Sequence, residues 1–247
     1  AYGQDDVDGR ADDIWVLDLE RGVTSRVTSD PAGDYNPIWS TVGDRIAFAS
    51  FRSGLGDLFL APALGPIEQH LLLTSPMTKA PECGSADGRS LFFTVDTGAN
   101  MRDIWVLPVD DPAQAHAVVA TDGFEGDPRL SPDGRSLAYT SDESGRTELY
   151  VQAYPTGVRR QVSRNGAASP CWRHDGAELY FNGEGDIVMA ASIKSEPGLQ
   201  VGVPAPLFPI RNGTFWGVAP DGRFLLTTPV EDPLDAQPEI GTARMAM

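Results

Sequence analysis

Cysteine and long apolar runs are scarce in this chain. Its 247 residues include only two cysteines, Cys83 and Cys171, at non-equivalent places, so we expect two buried thiols acting as small apolar side chains and no disulfide framework. No apolar run reaches the roughly 18 residues that a membrane-spanning helix needs. No signal-peptide pattern begins the chain, and no convincing helical stripe extends over about ten residues. These absences predict no membrane insertion and disfavour parallel α/β folds.

Acidic residues outnumber basic residues in this chain. Nineteen Lys and Arg stand against 35 Asp and Glu, which gives a formal net charge of -16 at pH 7. Affinity for nucleic acid depends on Lys and Arg displacing counterions, so no nucleic-acid partner is expected. The same charge disfavours docking on anionic lipid. Cationic ligands, metal ions and basic partner surfaces remain compatible with this composition.

Catalytic signatures are also missing. The sequence contains no Gly-x-Ser-x-Gly nucleophile motif, no His-Glu-x-x-His or Cys-x-x-Cys pair, and no glycine-rich loop preceding a helix. Its three histidines, His70, His116 and His174, occupy different positions of the repeat described below. We therefore predict that the chain is not an enzyme and has no cofactor.

One hairpin signature recurs five times. Its glycines, Gly43, Gly88, Gly134, Gly176 and Gly222, lie 45, 46, 42 and 46 residues apart. A period in the forties is typical of one four-stranded propeller blade. In the form Ser-Pro-Asp-Gly, proline presets φ for the first corner and glycine supplies the positive φ that reverses the chain.

Four strands are predicted in each repeat. A strand starting at proline precedes the turn, and a half-buried strand of alternating apolar residues follows it. The third strand opens with an acidic residue, and a more polar fourth strand belongs at the outer edge of the blade. The openings of the third strands are Asp13, Asp57, Asp103, Glu148 and Asp186.

The repeats predict an all-β fold, a β-propeller of four-stranded antiparallel blades. Six blades are favoured and five are the alternative, because the first and last units are incomplete. We expect one domain over residues 1–247. Its repeat units are approximately 1–33, 34–77, 78–124, 125–166, 167–212 and 213–247.

The motifs resemble a known family. The segment from Pro37 to Phe59, Pro-x-Trp-Ser-x-x-Gly-Asp-x-Ile-Ala-Phe followed by Asp-Leu-Phe, resembles the WD-like repeats of TolB-type propellers. The segment from Leu130 to Pro155 is similar to propellers attached to some bacterial serine/threonine kinases. The resemblance implies a non-catalytic sensor or interaction scaffold of a larger bacterial protein, in an extracytoplasmic or periplasmic location. The alternatives are the propeller half of a prolyl-oligopeptidase-like hydrolase and a metal-dependent propeller lyase.

The candidate binding site is one mouth of the central channel. Segments that enter each innermost strand surround this mouth, and loops on a rigid scaffold are where binding residues concentrate. We predict a protein or peptide partner there, or a small ligand; for any single residue, a turn-capping or core role is the competing interpretation. The candidates are Asp34, Tyr35, Asn36, Lys79, Glu125, Asp127, Ser169, Phe215 and Trp216.

A weak calcium motif lies near the start of the chain. Asp6, Asp8 and Asp12 surround Gly9 and reproduce part of a calcium loop, but Gln4 holds the first ligand position and a neutral amide weakens such a site. A solvated hairpin loop is the preferred interpretation, and calcium is the alternative.

Overall fold

Antiparallel β-strands make up almost all of the fold. The structure, a computed structural model, describes residues 2–4, 12–64, 68–98, 101–195, 197–210 and 214–227. These form two compact units, residues 1–130 and 131–247. In the first unit the strands are β1 (Tyr2–Gln4), β2 (Asp13–Asp18), β3 (Val23–Arg26), β4 (Asp34–Trp39), β5 (Arg45–Ser50), β6 (Asp57–Pro62), β7 (His70–Leu73), β8 (Lys79–Gly84), β9 (Ser90–Gly98), β10 (Met101–Pro108), β11 (His116–Val119) and β12 (Glu125–Leu130). A single 3-10 turn, Pro112–Gln114, interrupts the strands described in this unit.

The second unit continues the same pattern. Its strands are β13 (Ser136–Ser141), β14 (Glu148–Ala153), β15 (Arg159–Gln161), β16 (Ala168–Trp172), β17 (Glu178–Gly183), β18 (Ile187–Lys194), β19 (Gln200–Val201), β20 (Ala205–Pro209), β21 (Thr214–Val218) and β22 (Phe224–Thr227).

Each sheet is built from strands that are consecutive in the chain. In the first unit β1–β3 form a three-stranded sheet, and β4–β7 and β8–β11 form four-stranded antiparallel sheets. In the second unit β13, β14 and β15 pair in order, β16 to β19 form the next meander, and β21 pairs with β22. This meander of short sheets confirms the all-β prediction and is the construction of propeller blades. Six blades and a single domain stay predictions.

The turn glycines have the positive φ that the sequence predicts, and side-chain hydrogen bonds also stabilise the turns. In the turn that begins at Ser131, the Gly134 N–H donates to the Ser131 carbonyl at 2.8 Å, and Gly134 has a φ of 72°. The Asp133 carboxylate accepts from the Ser131 hydroxyl and from the Arg135 N–H, at 2.5 and 3.1 Å. Aspartate therefore closes the loop with its side chain, in addition to tolerating the backbone bend.

Three of the strands after the turns, β5, β9 and β13, are largely buried on both faces, which corrects the half-buried prediction for them; β22, after the last turn, keeps exposed side chains such as Leu225. In β5, Ile46 and Phe48 pack in one apolar cluster with Ile14 of β2, whereas Ala47 packs in another with Phe93 of β9. A propeller blade is covered by a neighbour on each face, so both sets of alternating side chains are buried. The small residues allow the close approach of the second neighbour.

The innermost strands begin before their prolines, which corrects a second prediction. β4 starts at Asp34 and β8 at Lys79, so Pro37 and Pro81 lie inside their strands. The pairing register shifts between Tyr35 and Ile38 and again between Pro81 and Cys83. A β-bulge removes the need for a ladder N–H, which is why proline is tolerated there.

In three blades, the acidic residue at the start of the third strand accepts a hydrogen bond from a hydroxyl that lies just after the fourth strand. Asp13, Asp57 and Glu148 accept hydrogen bonds from the hydroxyls of Thr28, Thr74 and Ser163, respectively. The Thr28 and Ser163 hydroxyls also accept from the backbone N–H after the acid, at 2.9 and 2.8 Å. These pairs are here called the blade latches; all of their members except the exposed Thr74 are buried, and the pairs give the repeated acid a structural role.

Candidate functional site

Three of the predicted site residues hold one structural position in successive repeats. Asp34, Lys79 and Glu125 are the first residues of β4, β8 and β12. All three are buried, with at most 1% of the residue exposed. These three residues therefore lie inside the protein and do not form part of its surface.

Lys79 is held by an internal ion pair. Its Nζ lies 3.1 Å from Oδ1 of Asp57 and donates to the Met77 carbonyl at 2.6 Å and to the Ser75 Oγ at 3.0 Å. Burial favours the neutral form of Asp57, but hydrogen bonds from Ser53, Lys79 and Thr74 hold the pKa of its carboxyl below the ordinary value. The ammonium is therefore committed to Asp57, which also belongs to a blade latch.

The two carboxylates have comparable internal partners. Glu125 accepts from the Thr121 hydroxyl at 2.5 Å and from the Thr121 N–H at 3.3 Å. Asp34 accepts from Nη2 of Arg52 at 3.4 Å. Burial raises the pKa of Asp34 above its ordinary value, against the opposing effects of Ser50, Thr28 and Arg52. Both carboxylates are therefore held by groups of the protein itself.

A left-handed residue lies near the start of three innermost strands, and in β4 and β16 the pairing register shifts beside it, as at a β-bulge. Asn36, Asp127 and Ser169 have φ values of 52°, 50° and 53°, and each precedes a proline. For a residue with a Cβ this backbone region costs about 1–2 kcal/mol. Asn36 is exposed, whereas Asp127 and Ser169 are partly buried. The bulge redirects the chain where β4 and β16 start, which is a placement common beside binding sites.

An open aromatic cleft surrounds Asn36 in the first unit. Gly33, Tyr35, Asn36 and Phe51 line a cavity of about 400 Å³. The Tyr35 and Phe51 rings meet edge to face with centroids 5.5 Å apart. Tyr35 lies close to Gly33: a Cβ there would come within 2.4 Å of the tyrosine ring. Glycine is thus required at this position for the ring to lie against the backbone.

The cleft continues into a smaller pocket with charged groups. Tyr35, Asn36 and Phe51 also border a cavity of about 130 Å³, together with Asp96 and Arg102. Arg102 donates from Nε to Asp96 at 2.8 Å.

The Arg102 guanidinium also contacts an aromatic ring. Arg102 lies over the ring of Phe124, 4.6 Å from the centroid, and Phe51 and Phe124 are both more than one-third exposed. Tyr35, Asn36, Phe51, Arg102 and Phe124 are together called the aromatic end surface.

The sequence predicts only part of the aromatic end surface. Tyr35 and Asn36 were predicted, whereas Phe51, Arg102 and Phe124 were not. Phe51 directly follows β5, Arg102 is near the start of β10, and Phe124 immediately precedes β12. All three lie beside strand ends, which is the positional signal that could have found them.

The remaining predicted residues lie elsewhere. Phe215 is 1% exposed and packs against Phe224 in the core of the second unit, with centroids 5.9 Å apart. The side chain of Trp216 lies outside the described residues, as do Asp6 and Asp8 of the calcium motif. Asp12 is described, and its carbonyl accepts from the Asp34 N–H at 2.9 Å. The calcium hypothesis stays a prediction.

Histidine and cysteine do not form a site in the part of the chain that is described. His70 and His116 begin the outermost strands β7 and β11, and His174 lies in the turn between β16 and β17. No group of three metal-ligating side chains is found among the described residues. Cys83 and Cys171 form no disulfide and are partly exposed as residues, which corrects the expectation that both are buried. Desolvation raises the pKa of the Cys83 thiol to about 11, against the opposing charge of Arg129.

Known structures share this fold. No protein-family model matches the chain, and no curated protein is similar to it in sequence. TolB from Acinetobacter baumannii is 19% identical with a TM-score of 0.66, over 92% of this chain and 59% of that one. A Mycobacterium tuberculosis puromycin-hydrolyzing peptidase is 20% identical with a TM-score of 0.67, over 91% and 40% of the two chains. A chain in a nidogen/laminin complex is 15% identical with a TM-score of 0.60, over 88% of this chain and 82% of that one.

The likeness establishes the class of fold. The chain is a TolB-like β-propeller, as its repeats predicted. It spans 59% of that TolB chain and 40% of the peptidase chain. The structure describes no helix long and apolar enough to cross a membrane.

Proposed function

We propose that this chain is a non-catalytic binding propeller, a sensor or interaction scaffold of a larger bacterial protein, whose aromatic end surface binds a protein or peptide. The observation that carries the proposal is the open cleft between Tyr35 and Phe51. Exposed aromatic rings beside a polar pocket are the usual anchors of protein recognition. A chain in the nidogen/laminin complex, which has a similar fold, lends support to this class of function.

The charge of the chain favours a basic partner. With a net charge of -16, the chain attracts cationic surfaces and repels acidic ones over distances of about a Debye length, roughly 8 Å at physiological salt. At the surface itself, Arg102 is neutralised by Asp96, so the aromatic rings can contact a basic peptide without a facing unpaired cation. An extracytoplasmic location, which the resemblance to TolB-type propellers implies, belongs to the same proposal.

Selection from a phage-displayed random peptide library tests the proposal. We expect enrichment of peptides that combine aromatic and basic residues. A synthetic copy of the best peptide, measured by fluorescence anisotropy, should bind Phe51→Ala at least tenfold more weakly than the parent chain, a loss of about 1.4 kcal/mol. Leu19→Ala, which removes a fully solvated side chain of the same unit, should leave the affinity unchanged.

Mass spectrometry of the incubated peptide separates binding from catalysis. An intact peptide supports the non-catalytic proposal. Cleavage of the peptide by the purified chain would instead favour a hydrolase, the function suggested by the likeness to the peptidase. Equal affinities for Phe51→Ala and the parent chain would rule out the aromatic end surface as the binding site.

A further inference from the structure

A broken outer strand opens a large cleft in the second unit. The strand β18 pairs with β19 through Ile193 and Lys194 and with β20 through residues 187–190. Between β19 and β20, Val203 and Pro204 leave the ladder after a last hydrogen bond from the Gly202 N–H to the Ser192 carbonyl, and Val203 is 92% exposed. This segment and the edge strand β15 border a cavity of about 840 Å³, here called the blade cleft. Ligand sites of small molecules span about 300–1,000 Å³, so the volume is that of a small-molecule site.

The interior of the blade cleft is apolar and its mouth is polar. Phe181, Met189, Leu199 and Val201 line the interior and belong to, or pack against, the core cluster of this unit. Met189 lies against Gly183, where a Cβ would come within 2.7 Å of the methionine Cγ. Because glycine has no side chain, position 183 leaves room for the methionine in the cleft wall.

Two arginines at the mouth lack the partners that other arginines have. Arg146, Arg159 and Arg173 of the same unit each donate to a carboxylate at 2.8 Å or less. Arg160 and Arg164 are exposed, and no ion pair or hydrogen bond joins their side chains to another residue in the described part of the chain. Among the described residues, the one carboxylate that lines the cleft is that of Glu184.

The charge at this mouth is therefore opposite to that of the whole chain. Two guanidinium groups against one carboxylate leave an excess positive charge where the rest of the protein is strongly acidic. Guanidinium groups bind carboxylates with paired N–H donors, and the apolar interior excludes water from the remainder of a ligand. An anion with an apolar body complements both parts of the cleft.

We propose that the blade cleft binds a small carboxylic acid with an apolar body. Its carboxylate contacts Arg160 and Arg164 at the mouth, and its apolar part lies against Met189 and Val201. This site is separate from the aromatic end surface and does not depend on the function proposed for it.

Calorimetric titration of the full chain with dodecanoate tests the proposal. We expect one dodecanoate to bind per chain. Dodecyltrimethylammonium, which has the same apolar length and the opposite charge, should bind at least tenfold more weakly, because it meets the arginines and cannot pair with them. Both titrations are run below the concentration at which the amphiphile forms micelles.

Substitutions at the mouth locate the site. The double variant Arg160→Gln/Arg164→Gln should weaken dodecanoate binding at least tenfold, and its fold should be unchanged because both side chains are exposed. Arg89→Gln, an exposed arginine of the first unit, removes a charge of the same sign and serves as the control. An absence of dodecanoate binding, equal binding of the two amphiphiles, or equal losses in the double variant and Arg89→Gln would each overturn the proposal.

Discussion

The blade latch at Ser163 should contribute measurably to the stability of the second unit. Its hydroxyl donates to the buried Glu148 carboxylate and accepts from the Leu149 N–H at 2.8 Å. In Ser163→Ala the buried Leu149 N–H loses its acceptor, which costs about 1–3 kcal/mol, and a hydrogen bond to a charged group worth about 1.5–3 kcal/mol is lost as well. Glu148 keeps the Gly166 N–H and Arg146 as partners, so we expect a total loss of roughly 2–4 kcal/mol.

Thermal and urea unfolding followed by circular dichroism measure this loss. For a chain of this size each kcal/mol lowers the melting temperature by about 2–4 °C, so Ser163→Ala should melt roughly 5–15 °C below the parent chain. Ser163→Thr should retain most of the stability, because threonine holds the same position in the latches of Thr28 and Thr74. Ser144→Ala, which removes an exposed hydroxyl, is the matched control. If Ser163→Ala is as stable as Ser144→Ala, the latch does not stabilise the blade.

Two further predictions concern the first unit. Lys79→Met should lower the free energy of unfolding by about 3–5 kcal/mol at pH 7, because Asp57 is left as a buried charge without its cation. The depressed pKa of Asp57 means that its contribution is present above the unfolded-state pKa of about 4 and is lost as the pH falls through the folded-state pKa, so the deficit should shrink in acid. Urea unfolding that gives the same deficit at pH 7 and pH 3 would argue against the pair. Asn36→Val should be about 1–2 kcal/mol less stable than Asn36→Gly, since only glycine adopts the φ of 52° without strain; equal stabilities would contradict a left-handed backbone at the bulge.

The repeat made the strands predictable, because it depends on interactions between residues that are close together in the sequence. A turn such as Ser131 to Gly134 needs a left-handed glycine and a short polar side chain, and both needs are visible in the sequence. Asp13, Asp57 and Glu148 are the first residues of β2, β6 and β14, as predicted, whereas β10 begins at Met101, before Asp103, and β18 begins at Ile187, after Asp186. The reason for that acid was not visible, since the hydroxyl that it binds lies 15 to 17 residues further along the chain and is reached only when the fourth strand returns.

The candidate site was predictable only in part. Asp34, Lys79 and Glu125 begin innermost strands, but a linear sequence does not reveal which charges are paired internally. Lys79 is buried because Asp57 faces it from the neighbouring sheet, and Phe51 is available because Tyr35 supports its ring from the edge. The blade cleft had no sequence signal, since it depends on where an outer strand breaks.

The sequence by itself determined the fold class, because the spacing of the turns and the period-two strands admit a meander of small sheets and little else. Tertiary structure decided which surfaces remain for ligands. Burial within the sheets consumes many apolar residues, and ion pairs such as Lys79–Asp57 consume part of the charge. The exposed rings around Tyr35 and the unpaired arginines beside the blade cleft are what the packing leaves available, and packing is a property of the sheets together and not of any one segment.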